Sequence, residues 1–142
     1  MGVKKITLNY KIDTMKNKIA AVTKFHTAFK LNMNSEPIAN IGKDRKTLRF
    51  DLMKEENEEY LEAAENNDLV EVADALGDML YILCGTIIEH GMQDKITAVF
   101  DEIQRSNMSK LGEDGKPIYR EDGKVLKGPN YFKPNILEIL EQ

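Results

Sequence analysis

The stretch Leu69-Val70-Glu71-Val72-Ala73-Asp74-Ala75-Leu76-Gly77-Asp78-Met79-Leu80-Tyr81-Ile82-Leu83 decides the fold. It is apolar around most of a helix circumference, yet Glu71, Asp74 and Asp78 fall at i, i+3 and i+7 and so share one face. The spacing predicts a helix from Leu69 to His90, closed by Gly91 just past its end. A helix this apolar belongs at the centre of a bundle.

Before it, a helix over Asp44 to Asn66 starts an inward stripe at Leu48 and Leu52, which then meets Glu55, Glu56, Glu59 and Ala63; the opposite face has apolar members of its own, Met53, Tyr60 and Ala64, and a helix rotated onto them would put the acids in water. Upstream, Met15, Ile19, Val22, Phe25 and Phe29 recur at three- and four-residue steps, predicting an amphipathic helix from a cap at Asp13 to Leu31 with lysines outside. Residues 32–43 are rich in turn formers and read as a loop. A fourth helix is expected over Gln93 to Lys110 with Ile96, Val99, Phe100 and Ile103 inward. Glu113-Asp114-Gly115-Lys116 recurs as Glu121-Asp122-Gly123-Lys124, and Asp-Gly pairs favour tight turns, so a small hairpin is expected over residues 117–127. Pro134 precedes a short terminal helix, Asn135 to Glu141. The expectation is an all-α chain, one domain over residues 1–142, with a four-helix bundle-like core and a small C-terminal extension.

The net charge of -4 conceals a block pattern. Residues 1–50 carry +8, residues 51–102 carry -13 and residues 103–142 carry +1. The only cysteine, Cys84, permits no intramolecular disulfide, which suits a reducing compartment. The apolar run Met79 to Ile88 is about half of the roughly 20 residues needed to span a bilayer, so a soluble cytoplasmic protein without membrane contact is expected. The basic first third has no arginine and aromatic cluster, so nucleic-acid binding is not expected.

Carboxylates on the core side of two helices need compensation, because an unpaired buried charge costs several kcal/mol. Residues 51–102 offer only Lys54 and Lys95. A divalent cation is the economical alternative, and several carboxylates with no placed His or Cys suit Mg²⁺ or Mn²⁺. Such an ion keeps positions for water and phosphates, which points to phosphate chemistry. The stripe of the fourth helix ends in Asn107 and Lys110, and Arg120, Lys124 and Lys127 follow in the hairpin, all suited to phosphate. His26 and His90 read as structural residues.

Glu55-Glu56-Asn57-Glu58-Glu59 followed by Ala73-Asp74-Ala75-Leu76-Gly77-Asp78-Met79-Leu80-Tyr81 resembles the acidic motifs of the all-α nucleoside triphosphate pyrophosphohydrolases, the MazG-like and phosphoribosyl-ATP pyrophosphohydrolase-like group. Arg105-Ser106-Asn107-Met108-Ser109-Lys110 and Gly123-Lys124-Val125-Leu126-Lys127-Gly128-Pro129-Asn130-Tyr131 are similar to a phage and bacterial branch that includes enzymes acting on dUTP.

The resemblance implies hydrolysis of a nucleoside triphosphate between the α- and β-phosphates. Glu56, Glu59 and Asp78 would hold the principal Mg²⁺, and Glu55 and Asp74 would support a second ion or orient water. Glu55 and Glu56 would be catalytic, Asn107, Lys110, Lys124 and Lys127 would bind phosphate or sugar, and Phe25 and Tyr81 would pack on the base. It further implies a homodimer or homotetramer and a role in clearing unwanted nucleotides. One position departs from the family's Glu-x-x-Asp: Ala75 stands where its Glu belongs, so either Asp74 substitutes beside Asp78, or Glu71 and Asp74 form the pair. The other reading of such a degenerate motif is a non-catalytic helical nucleotide- or protein-binding module.

Overall fold

The computed structural model describes residues 14–142. Five helices follow one another: α1 (Met15–Ala28), α2 (Lys43–Glu65), α3 (Leu69–Glu89), α4 (Ile96–Met108) and α5 (Ile136–Glu141). Among the described residues there is no strand, and the expected hairpin is reduced to a single antiparallel bridge, Tyr119 to Val125. Both Asp-Gly turns form, with Gly115 and Gly123 at positive φ.

The helix ends have identifiable causes. Thr14 caps α1 by accepting from the Asn17 amide at 3.2 Å; the expected cap, Asp13, lies outside the described residues. α1 stops three residues before the expected Leu31, because Lys30 takes a left-handed φ of 55° and the Leu31 amide folds back onto the His26 carbonyl. Asn67 does the same after α2 with a φ of 54°, and the Asp68 amide returns to Ala63. Asp68 then caps α3 through the Glu71 amide at 3.1 Å, so α2 and α3 form a hairpin with a three-residue turn. α3 closes as expected at Gly91, whose amide bonds Ile88 while Met92 bonds Ile87.

Gly91 is a position where no side chain fits. Its φ is +67°, and an added Cβ would sit 2.0 Å from the Glu36 carbonyl oxygen, because the 32–43 loop crosses the end of α3. The loop supplies partners to its last carbonyls: the Asn34 amide to Ile88, the Asn34 side chain to Glu89 and the Ile38 amide to His90. Gly91→Ala is expected to cost at least about 2 kcal/mol, read from the urea midpoint.

α3 packs most extensively against α2 and then against α1. Ile19, Val22, Cys84, Ile87 and Ile88 form the core, with Met15, Met92 and Ile96 against it. α4 differs from expectation. Its start at Ile96 joins the core, but its principal helix partner is α5, and Phe100 is 67% exposed with Ile103 also open. These residues, expected inward, instead line an apolar cavity of about 420 Å³ with Leu80, Leu83 and Ile87 of α3. The segment after α4 is fixed to it by Ser106, buried and donating to the Phe132 carbonyl at 2.8 Å, and by Ser109, which accepts from the Phe132 amide. No helix among the described residues is long and apolar enough to cross a membrane.

Candidate active site

The face of α2 turned to α3 is set by a succession of polar side chains. Arg45, Arg49, Leu52 and Glu56 follow at steps of three and four residues, so they share one face. Arg49 is 8% exposed while Leu48, expected inward, is 40% exposed. The inward stripe thus changes at its start, with Arg49 in place of Leu48, while Leu52, Glu56 and Ala63 keep their places, and the reason lies on α3. Glu89 is wholly buried, and the Arg45 Nε donates to its Oε1 at 2.7 Å while the Arg49 Nε lies 3.2 Å from its Oε2. Arg49 also donates to Thr86 Oγ1 at 3.0 Å and to the Ile82 carbonyl at 2.6 Å. Gly85 makes this approach possible: a Cβ there would lie 2.6 Å from Arg49 Nη2 and 2.9 Å from His26 Nε2.

The carboxylate end of the seam has no such cation. The Glu56 carboxyl is raised from its ordinary 4.5 to about 6, first by burial, then by the charges of Glu59, Asp78 and Glu55. Its Oε2 is buried with no hydrogen-bond partner. No lysine or arginine is among the groups that set its ionisation. Three of the expected site residues, Glu55, Glu59 and Asp78, therefore act on a fourth, Glu56.

Asp74 stands apart from them, whereas Glu71 shares a cavity with one of them, Glu59. Glu71 sits in the first turn of α3, lining an acidic cavity at the hairpin turn with Glu59, Glu62 and Asp68. Asp74 is exposed on α3, and Ala75, in the position of the missing acid, is 2% exposed. Among the described residues no three acidic, His or Cys side chains converge into a ready coordination shell. The orphaned Glu56 oxygen and the surplus of negative charge nonetheless fit a hard cation, for which carboxylate oxygens are the natural donors.

Phe25 and Tyr81 meet edge-on at 5.6 Å between centroids. They are 37% and 43% exposed, so neither is a core residue. His26, by contrast, is buried with Nδ1 3.0 Å from the Asn32 carbonyl, and His90 Nδ1 lies 2.8 Å from the Ile38 carbonyl.

Asn107 is exposed on the last turn of α4, and the half-buried Lys110 follows it. Lys127 lies over the Tyr131 ring at 4.7 Å, and the Lys124 amide bonds Asp122. Their contacts are with the C-terminal segment, and α4 has no extensive packing with α2. Arg45, Arg49 and Glu89 were missed in sequence because their partnership spans some 40 residues; the one local signal was arginine at four-residue spacing on a helix.

A search of curated proteins finds no match. Among solved structures, the chain is similar to a crystal structure from Exiguobacterium sp. 255-15 described as a candidate NTP pyrophosphohydrolase, with 27% identity over 88% of this chain and 92% of that one. The TM-score is 0.46, too low for the superposition to inform the site. The sequence profile described as phosphoribosyl-ATP pyrophosphohydrolase matches residues 22–107, from α1 through α4 and over both acidic motifs. That match covers more than half of the chain, and the protein therefore belongs to the phosphoribosyl-ATP pyrophosphohydrolase family and is a pyrophosphohydrolase.

Proposed function

We propose that this pyrophosphohydrolase cleaves a (deoxy)nucleoside triphosphate, dUTP or a non-canonical dNTP, between the α- and β-phosphates, releasing nucleoside monophosphate and pyrophosphate. The observation that carries this reading is Glu56: a buried carboxyl oxygen without a partner, surrounded by three further carboxylates and no cation. We assign Glu56, Glu59 and Asp78 to Mg²⁺ or Mn²⁺, which when bound supplies positive charge to the phosphate oxygens and acidifies water. Glu55, exposed one residue along α2, orients the attacking water and accepts its proton. Asp74, exposed one turn before Asp78, serves as an outer carboxylate. Glu71 belongs to the helix start, with its amide held by Asp68.

Asn107, Lys110, Lys124 and Lys127 are assigned to the phosphates and sugar, and they reach the carboxylates from a second copy. The open apolar face of α3 and α4 supports that assembly, since Phe100 and Ile103 line it and are exposed in the single chain. A homodimer is the smallest assembly that completes the site, and housecleaning of the nucleotide pool in the cytoplasm is its role.

Pyrophosphate release from a panel of canonical and damaged (d)NTPs, with Mg²⁺ or Mn²⁺, tests the reading. Turnover of at least one is expected, and none at micromolar enzyme would favour a non-catalytic binding module. Thermal unfolding gives a second handle. Because the fold raises the Glu56 pKa, the protonated form is favoured, and this group's contribution to stability falls as pH rises from about 4.5 through 6. Saturating Mg²⁺ is therefore expected to raise Tm by about 5 °C at pH 7.5 and by much less at pH 5, where Glu56 holds its proton. Equal shifts at both pH values would remove Glu56 from the ion's ligands.

A further inference from the structure

The run Arg105-Ser106-Asn107-Met108-Ser109-Lys110 at the end of α4 carries two serines besides the residues assigned to phosphate. Ser106 breaks a pattern. Thr23, Thr27 and Thr86 each donate to the carbonyl four residues back in their own helix, the usual local bond of such a side chain. Ser106 donates instead to the Phe132 carbonyl, 26 residues on. It is 3% exposed, and among the described residues the other buried polar side chains, His26, Arg49 and Glu89, belong to α1, α2 and α3.

Three more ties meet at the same place. The Ser109 hydroxyl oxygen accepts from the Phe132 amide at 3.1 Å, the Arg105 guanidinium lies over the Phe132 ring at 4.3 Å, and the Gly128 amide donates to the Lys110 carbonyl at 2.9 Å. Together they sew residues 128–132 to the end of α4 and close residues 111–127 into an arm. Gly128 is required at the crossing, because an added Cβ would run into the Leu111 carbonyl oxygen. The arm holds both Asp-Gly turns, which are bonded within themselves, Gly112 to Lys116 and Arg120 to Lys124.

One turn of helix thus serves two purposes. Ser106 and Ser109 share a face at a three-residue step, and Asn107 and Lys110 share the face about 100° further round. The serine bonds fix the rotation of the turn that carries Asn107 and Lys110, and the Gly128 bond brings the chain at Lys127 alongside Lys110. Without these ties Lys127 would hang on a long exposed loop, and holding it against a phosphate would cost the entropy of closing that loop.

We propose that Ser106 is a positioning residue for the substrate's phosphates: its buried bond to Phe132 closes the arm in advance, so that Asn107, Lys110 and Lys127 meet a triphosphate as one preformed clamp. The proposal rests on the assignment of those three residues to phosphate under the triphosphate reading.

Ser106→Ala in the full chain is expected to raise KM for the best triphosphate of the panel at least about tenfold while kcat stays within about threefold, the mark of binding lost equally from ground and transition states. The Mg²⁺-dependent rise in Tm should stay as in the wild type, because the carboxylates lie on other helices. Gly128→Ala opens the arm from its other side and should show the same split, and the double variant should lie within about twofold of the worse single one, since both break one device. An unchanged KM with a lowered Tm would make Ser106 structural and overturn the proposal, as would a fall in kcat alone. Should a variant fail to fold, hydrogen exchange in the wild type decides. Saturating inorganic pyrophosphate with Mg²⁺ is expected to slow exchange of the Gly128 and Phe132 amides at least about tenfold, because a ligand held by the closed arm stabilises it, and unchanged rates overturn the proposal. Calorimetric titration with the same pyrophosphate needs no turnover. Binding weakened at least about tenfold by Ser106→Ala, in a protein that hydrolyses no triphosphate, would sink the triphosphate reading and leave the clamp standing. Unweakened binding with turnover intact would do the reverse, and absence of both turnover and pyrophosphate binding would sink both.

Discussion

Glu56→Gln is expected to lower pyrophosphate release by at least about a hundredfold while leaving the metal-free protein as stable as the wild type, or more so, at pH 7.5. The two effects have one origin. At that pH the Glu56 carboxylate is ionised against burial and against Glu59, Asp78 and Glu55, and an isosteric amide removes the repulsion together with the ligand. The Mg²⁺-dependent rise in Tm should vanish in the same variant. Initial rates and paired thermal scans with and without Mg²⁺ measure all three. Retained activity would remove Glu56 from the site, and a lower Tm in the metal-free protein would make it a structural residue.

Glu89→Gln should do the opposite, damaging the fold first. Glu89 is wholly buried and is the acid ion-paired with both Arg45 and Arg49. Neutralising it leaves two guanidinium charges close together with nothing opposite, a loss of about 3–5 kcal/mol. Against a typical total of about 5–15 kcal/mol, that is a large share of the stability of the molecule. Urea unfolding followed by circular dichroism reads it, and a loss below about 1 kcal/mol would mean that the pair is replaceable. Arg45→Met should cost less, because Glu89 keeps Arg49 and an unpartnered buried nitrogen, Arg45 Nη2, disappears with the side chain.

The two variants mark where sequence reading succeeds and where it stops. Periodicity places α2 and α3 within a residue or so of their ends, and Gly91, the stop read for α3, is a local signal that acts locally. α1 was expected to run on to Leu31 since a lysine, unlike a glycine, does not announce a left-handed turn. Glu56 was legible because it contradicts the apolar pattern of its own helix, whereas Glu55, Glu59, Asp74 and Asp78, expected with it on the core side, are exposed. The arginines were not, for a related reason: the charge blocks suggested that acids of the middle segment had only Lys54 and Lys95 to meet, whereas Glu89 draws its partners from the preceding block. Periodicity sees one helix at a time, and this pairing exists only once two helices are side by side. α4 was misplaced in the same way, since an apolar stripe tells that a face will be covered and not by which element; in the single chain Phe100 remains open.

The short turn at Asn67 gives the Arg45–Glu89–Arg49 cluster a second consequence. α2 and α3 are joined by three residues, so their relative slide has almost no slack, and a slip of one residue would turn a helix by about 100°. The same slip would part the buried ion pairs at one end of the seam and Glu56 from Asp78 at the other. The ion pairs, costly to break and short in range, thus act as a gauge of alignment for carboxylates that repel one another and could not hold their own positions. The attractive end of the hairpin keeps time for the repulsive end.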